Sequence, residues 1–341
     1  MPHSGIKTML TLMLAGLLIV SSLTGCTKEE QPPSTSAPGQ TSSGQNSTKP
    51  QTNDDSQSAP GKETSSDARA KVLQEFESLH DNKAETSKWL AFFDQHLTSL
   101  PQEDADQLMQ KLLAFYEEDL PKVQDQFAEE TVAKALSALE WPVTEESLKQ
   151  LQDKGVKAKV EATLAGGYKL ETAEGMVFPV VDYGALKKYN PSLSEKMKQY
   201  IDLLALESDA KMASDGGLII GWDELAKRTV AFEQFFKAYP GTPEADHAKK
   251  LYYSSYLSAY LYGLDNTPIF DFDTFKLTDE VKASYENTIK TYPGTTTAEA
   301  VQGFLDVLKK TKWQVFRKVD GQQTDVPEVK AYRDRIFTSH S

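Results

Sequence analysis

The chain has 341 residues, 39% of them hydrophobic and 26% charged, with a formal net charge of −13. From residue 67 onward 33 Lys plus Arg stand against 45 Asp plus Glu. That surface repels nucleic-acid phosphates and anionic headgroups, which argues against nucleic acid as a partner and against a basic membrane-docking face. The only cysteine is Cys26, so there is no intramolecular disulfide and no thiol for catalysis or metal binding beyond it.

Lys7 precedes an apolar run from Met9 to Val20, broken only by Thr11 and Gly16. It is too short to span a bilayer but suits the hydrophobic core of a secretion signal. The run leads into Leu23-Thr24-Gly25-Cys26. These residues resemble the lipobox of bacterial lipoproteins, a Leu, a small residue, Gly or Ala, then Cys. The resemblance implies a signal peptide over 1–25 and acylation of Cys26 by a diacylglyceryl group with palmitate-type chains. It further implies attachment to the extracytoplasmic face of the cell membrane. Two chains give a stable anchor where one is marginal.

Residues 27–66 contain no Val, Ile, Leu, Met, Phe, Tyr or Trp. Such a stretch has nothing to bury against its conformational entropy and reads as a disordered tether, with a root-mean-square span of about 35 Å.

The rest predicts a mainly α fold of helical hairpins interrupted by one small antiparallel sheet at about 156–182. An N-terminal helical region over 67–150 shows stripes at Val72, Leu73, Phe76 and Leu79, at Trp89, Leu90, Phe93 and Leu97, and at Leu108, Met109, Leu112, Phe115 and Tyr116. Val123, Phe127, Val132, Leu136 and Leu139 suggest a fourth helix, with Pro101, Pro121 and Pro142 at the joints. Over 151–190, Val156, Ala158, Val160, Ala162 and Leu164 alternate with polar residues and read as a strand. Tyr168–Leu170 and Met176–Asp182 add two more around Glu174-Gly175, with Pro179 marking an edge or a bulge. Helix returns over 191–341, opened by a capping box at Ser192 and Glu195.

An internal repeat follows. Phe232-Glu233-Gln234-Phe235-Phe236-Lys237-Ala238-Tyr239-Pro240-Gly241-Thr242 recurs 53 positions on as Tyr285-Glu286-Asn287-Thr288-Ile289-Lys290-Thr291-Tyr292-Pro293-Gly294-Thr295. Ala245, Ala248, Leu251 and Tyr252 answer to Ala298, Val301, Phe304 and Leu305. Each unit reads as a helix, a Tyr-Pro-Gly stop and a second helix, begun at Thr242-Pro243 or at Thr296 with Glu299. The units resemble the tetratricopeptide-like hairpins of bacterial envelope lipoproteins, over roughly 223–263 and 279–310. The period departs from the usual 34 residues of that family, and the linker Leu264–Leu277 supplies much of the excess. Residues 160–340 also resemble a broader group of uncharacterised lipoproteins from Gram-positive bacteria, a likeness that implies no activity.

Chemistry is sparsely signalled. His80, His96, His247 and His340 have no zinc-ligand spacing, and there is no nucleophile elbow or phosphate-cradling loop. The reading is therefore no cofactor, no metal and no catalytic residue. Asp182, Glu207, Asp209, Asp215, Asp223 and Glu224 are candidate acid–base pairs for an envelope glycan hydrolase, although Asp223 reads more simply as an N-cap. Asp265, Asn266, Asp271 and Asp273 gather oxygen ligands in one loop, a candidate binding site that also suits Asx turns. Tyr252, Tyr256 and Tyr260 fall at i, i+4 and i+8 of one helix. Exposed, they form a platform for peptide or glycan; packed, they are core. The function expected is a binding or scaffold module for an envelope protein, peptide or glycan, with the glycan hydrolase as the alternative.

Overall fold

The computed structural model describes residues 65–81, 84–140 and 144–338, and no helix among them is long and apolar enough to cross a membrane. The leader, Cys26 and nearly all of the tether lie outside the described residues. The contacts below belong to the unit Arg69–Ser341.

Helices α1 (Ser65–Asp81), α2 (Thr86–His96) and α3 (Gln102–Ala128) follow the predicted stripes. Phe76, Trp89, Phe93 and Tyr116 are buried between them. Phe76 meets Trp89 edge-on at 5.1 Å, a geometry that adds about 0.5–1.5 kcal/mol beyond area burial. Pro121 does not end a helix as expected; α3 runs through it. The apolar row continues past it to Phe127, which is 1% exposed, and that burial outweighs the lost backbone bond. Helices α4 (Glu130–Ser137), α5 (Glu145–Lys149) and α6 (Lys154–Ala165) enclose a small second core around Val132, Leu136, Val156 and Val160.

The strand expected over 156–164 is helix α6. The alternation that suggested a strand also places Val156, Val160 and Leu164 four apart. Only Val156, Val160 and Thr163 are buried, while Ala158 and Ala162 face solvent. Asp153 caps the helix by accepting from the Gly155 and Val156 amides, and Ala, Lys and Glu favour helix over strand.

Strands β1 (Tyr168–Ala173) and β2 (Met176–Val181) form the predicted antiparallel pair around Glu174-Gly175. Pro179 lies opposite Leu170 at a pair that exchanges no ladder bonds, and its carbonyl accepts from Gln124 of α3 at 3.0 Å. A short helix α7 (Tyr183–Leu186), capped by Asp182, and a 3-10 turn (Lys187–Ser192) lead to α8 (Glu195–Asp209). The cap of α8 is Ser194, not Ser192, and accepts from the Met197 amide. Strands β3 (Ala213–Ser214) and β4 (Gly217–Leu218) make a second hairpin.

The repeat is a pair of helical hairpins. The first joins α9 (Trp222–Ala238) to a continuous helix made of α10 (Pro243–Leu251), a π-helical segment (Tyr252–Leu257) and α11 (Ser258–Tyr262). After hairpin β5–β6 (Gly263–Leu264, Thr267–Pro268), the second joins α12 (Asp279–Thr291) to α13 (Thr296–Lys310). Hairpin β7–β8 (Phe316–Val319, Gln322–Asp325) and α14 (Pro327–Thr338) complete the chain. Among the described residues four two-stranded hairpins thus punctuate the helices, where one sheet was expected. Thr242 and Thr295 cap the second helices of the two units in register, one residue before the expected Thr296. Asp223 is not a cap; Gly221 holds that place and Asp223 sits in the first turn.

Candidate binding groove

The tyrosine row is core. Tyr252 and Tyr260 are 0% exposed and Tyr256 is 4% exposed, so they form no ligand platform. A plain α-helix drifts around its axis over successive four-residue steps; the wider π segment offsets the drift and keeps all three rings inward. They join one repeat to the next. Tyr260 reaches Thr288 at 2.8 Å and Ser284 at 3.0 Å, Tyr285 donates to the Tyr260 carbonyl at 2.6 Å, and Tyr252 meets Thr297 at 3.1 Å.

The Asp265–Asp273 loop is largely a clasp. Asn266 N–H donates to the Gly216 carbonyl at 2.8 Å, and its side-chain amide donates to the Asp215 carbonyl. Asp215 in turn accepts from the Glu174 amide at 3.1 Å. Three hairpin turns, from β1–β2, β3–β4 and β5–β6, are therefore linked in a row. Asp271 accepts from the amide and the hydroxyl of Thr274, both at 2.8 Å, which closes an Asx turn and holds its carboxyl below the usual range. Asp265, Asp271 and Asp273 are exposed, with Phe272 63% exposed among them. Their oxygens do not gather into a three-ligand set. Among the described residues only Glu77, His80 and Asp81 do so, all exposed on α1.

The six carboxylates considered as acid–base pairs each hold a structural partner. Asp182 caps α7 through the Ala185 amide, Asp209 pairs with Lys187, and Glu207 accepts from the Met212 amide. Asp215 accepts from Glu174, Asp223 from Asn287, and Glu224 from Arg228. Arg228 also donates to the carbonyls of Leu206 and Ala210, which seals the C-terminus of α8.

A different set of side chains converges with less structural duty. The start of α8 is fixed to α3 by the Ser194 amide donating to Asp106 at 2.9 Å. Helix α10 is tied to both through buried Glu244, which accepts from Gln110 of α3 and from Lys196 of α8. This framework brings Glu117 of α3 into electrostatic range of Tyr183 of α7, Tyr200 of α8 and Lys250 of α10, and Lys250 into range of His247 on its own helix. Tyr200 lies 2.6 Å from His247 Nδ1. Burial, and then Lys250, lower the imidazole. A neutral ring that accepts at Nδ1 carries its proton on Nε2.

Glu117 is exposed and Tyr183 half-buried, yet surrounding protein desolvates both. Burial raises the Glu117 carboxyl against the pull of Lys250, and it raises the Tyr183 hydroxyl well above its ordinary value. Among the described residues no hydrogen-bond or ion-pair partner engages Glu117, the Tyr183 hydroxyl or Lys250.

A concavity of about 490 Å³ opens between α4 and the turns of β1–β2 and β3–β4, lined by Leu139, Val177, Ile219, Lys211 and Asp215. Its polar groups are already used: Lys211 donates to the Thr172 carbonyl at 2.8 Å and pairs with Glu171, and Asp215 holds the turn row. The α3–α8–α10 set is the stronger candidate because Glu117, Tyr183 and Lys250 have no hydrogen-bond or ion-pair partner among the described residues. Sequence reading passed over Glu117. The available signal was its register, four residues beyond Leu113 and eight beyond Met109, which puts a carboxylate at the edge of the apolar row of α3. No protein-family model, curated protein or solved structure matches the chain.

Proposed function

We propose that the chain is an extracytoplasmic lipoprotein, anchored to the cell membrane by a lipid on Cys26 and spaced from it by residues 27–66. Its helical head binds an envelope protein, peptide or glycan in the groove of Glu117, Tyr183, Tyr200, His247 and Lys250. The observation that carries this reading is the unpartnered Glu117–Tyr183–Lys250 set beside the Tyr200–His247 bond. An unpartnered carboxylate, phenol and ammonium within electrostatic range offer acceptor and donor positions to amide or hydroxyl groups, with the Tyr183 ring as an apolar surface.

Paired-carboxylate hydrolysis has less support, because each carboxylate first considered for it is engaged elsewhere. The test is affinity capture from solubilised envelope with the whole protein, wild type against Glu117→Gln/Tyr183→Phe. At least a tenfold loss of retained peptide or glycan with an unchanged melt supports the groove; equal retention contradicts it. Cell fractionation of Cys26→Ala tests the anchor separately, and a cleaved variant that stays with membranes refutes it.

A further inference from the structure

Five charged side chains are buried among the described residues: Asp104, Arg228, Glu233, Glu244 and Arg333. Four are answered. Asp104 has Arg69, and Arg228 has Glu224 and two carbonyls. Glu233 has Lys237 and the first amides of α13, and Glu244 has Gln110 and Lys196. Arg333 of α14 is the exception. It is 4% exposed, and its Nε and Nη2 have no hydrogen-bond partner among the described residues.

The guanidinium stands instead among aromatic rings, 4.4 Å from the centroid of Tyr262, 5.1 Å from Phe304 and 6.0 Å from Phe316. Cation–π contact stabilises the charge but satisfies none of its in-plane donors. Asp325 acts on it only through charge, without an ion pair, and burial lowers its pKa. Nε and Nη2 are the side-on fork of a guanidinium, the pair that takes both oxygens of a planar carboxylate. Aromatic rings around the guanidinium also favour a flat, singly charged anion over a tetrahedral, strongly hydrated one. The ring of Tyr262, over the guanidinium carbon at 4.4 Å, is 37% exposed.

We propose that Arg333 is a carboxylate receptor, taking an acidic side chain or a chain end of a partner polypeptide in bidentate fashion on its Nε–Nη2 fork. The site lies on α14 and stands independently of the α3–α8–α10 groove.

The test follows the Arg333 Nε–H resonance of the whole protein during titration with sodium acetate, against sodium chloride at equal ionic strength. Acetate should shift it saturably and chloride should not. Tyr262→Ala, which removes the covering ring, should tighten acetate binding several-fold. N-acetylglycine and an acetyl-aspartyl amide then separate a chain end from a side chain, and the one that binds at lower concentration names the source. Absence of a saturable shift in both wild type and Tyr262→Ala overturns the proposal, and a stronger response to inorganic phosphate overturns the carboxylate assignment. Arg333→Lys keeps the charge but loses the fork, so it should lose the stabilisation by acetate in thermal melts. Equal stabilisation in this variant and wild type would place the anion elsewhere and refute the site.

Discussion

Tyr239 and Tyr292 end their helices in one backbone conformation, φ −124°, ψ 49° and φ −122°, ψ 51°. Gly241 and Gly294 both follow at φ 78°, and Thr242 and Thr295 each donate to the tyrosine carbonyl and cap the next helix. The 53-residue repeat is thus a repeat of backbone geometry as well as of letters.

The glycines of this region separate conformation from space. A Cβ at Gly241 meets nothing within 4 Å, so Gly241→Ala should cost only the left-handed backbone, about 1 kcal/mol. At Gly263, also at positive φ, a Cβ would lie 2.7–2.8 Å from backbone atoms of the β5–β6 hairpin. Gly263→Ala should therefore cost more than about 3 kcal/mol in chemical denaturation. Equal costs at the two sites would refute this account of the hairpin.

Glu233 couples the repeats. It is 1% exposed and accepts from the Thr296 and Thr297 amides and the Thr297 hydroxyl. Burial alone would raise its carboxyl, but bonds from Lys237, Thr297 and Thr296 outweigh that and hold it below the ordinary value. Glu233→Ala should destabilise by about 3 kcal/mol at neutral pH. With the folded pKa depressed, this contribution is complete above the ordinary value of 4.5 and is lost as pH falls through the folded one. Melts of Glu233→Gln and wild type should converge on acidification.

Glu117 should behave oppositely. Its carboxyl is raised in the fold, so the charge costs stability once pH rises past the ordinary value of 4.5, and protonation relieves that cost. Glu117→Gln should melt at or above wild type near neutrality and match it in acid. A variant that is less stable at pH 7 would make Glu117 a structural residue.

In the turn row, Asn266→Ala should speed hydrogen exchange of the Glu174 amide, although the two residues lie in different hairpins. Asn266 donates to the carbonyl of Asp215, whose carboxylate holds that amide. Unchanged exchange would separate the hairpins.

The main helices and the repeat were legible because burial imposes its period on Leu108–Tyr116 and on Phe232–Thr242 alike. The α6 misreading arose because Val156, Val160 and Leu164 satisfy both periods, and only the Asp153 cap and the Ala and Lys content break the tie. The β7–β8 hairpin was missed although Asp320-Gly321, both at positive φ, is a hairpin-turn pair. The candidate site was not legible, because Glu117, Tyr183, Tyr200 and Lys250 come within range of one another only through the packing of α3, α7, α8 and α10, and no local pattern records that.

The central claim is that the groove of Glu117, Tyr183 and Lys250 holds an envelope ligand. The most direct measurement places a photo-reactive phenylalanine analogue at position 183 in growing cells, with position 319, exposed on β7, as the control. The account predicts a peptide or glycan adduct at 183 that is absent at 319. No adduct at 183, or equal yields at both positions, would contradict it.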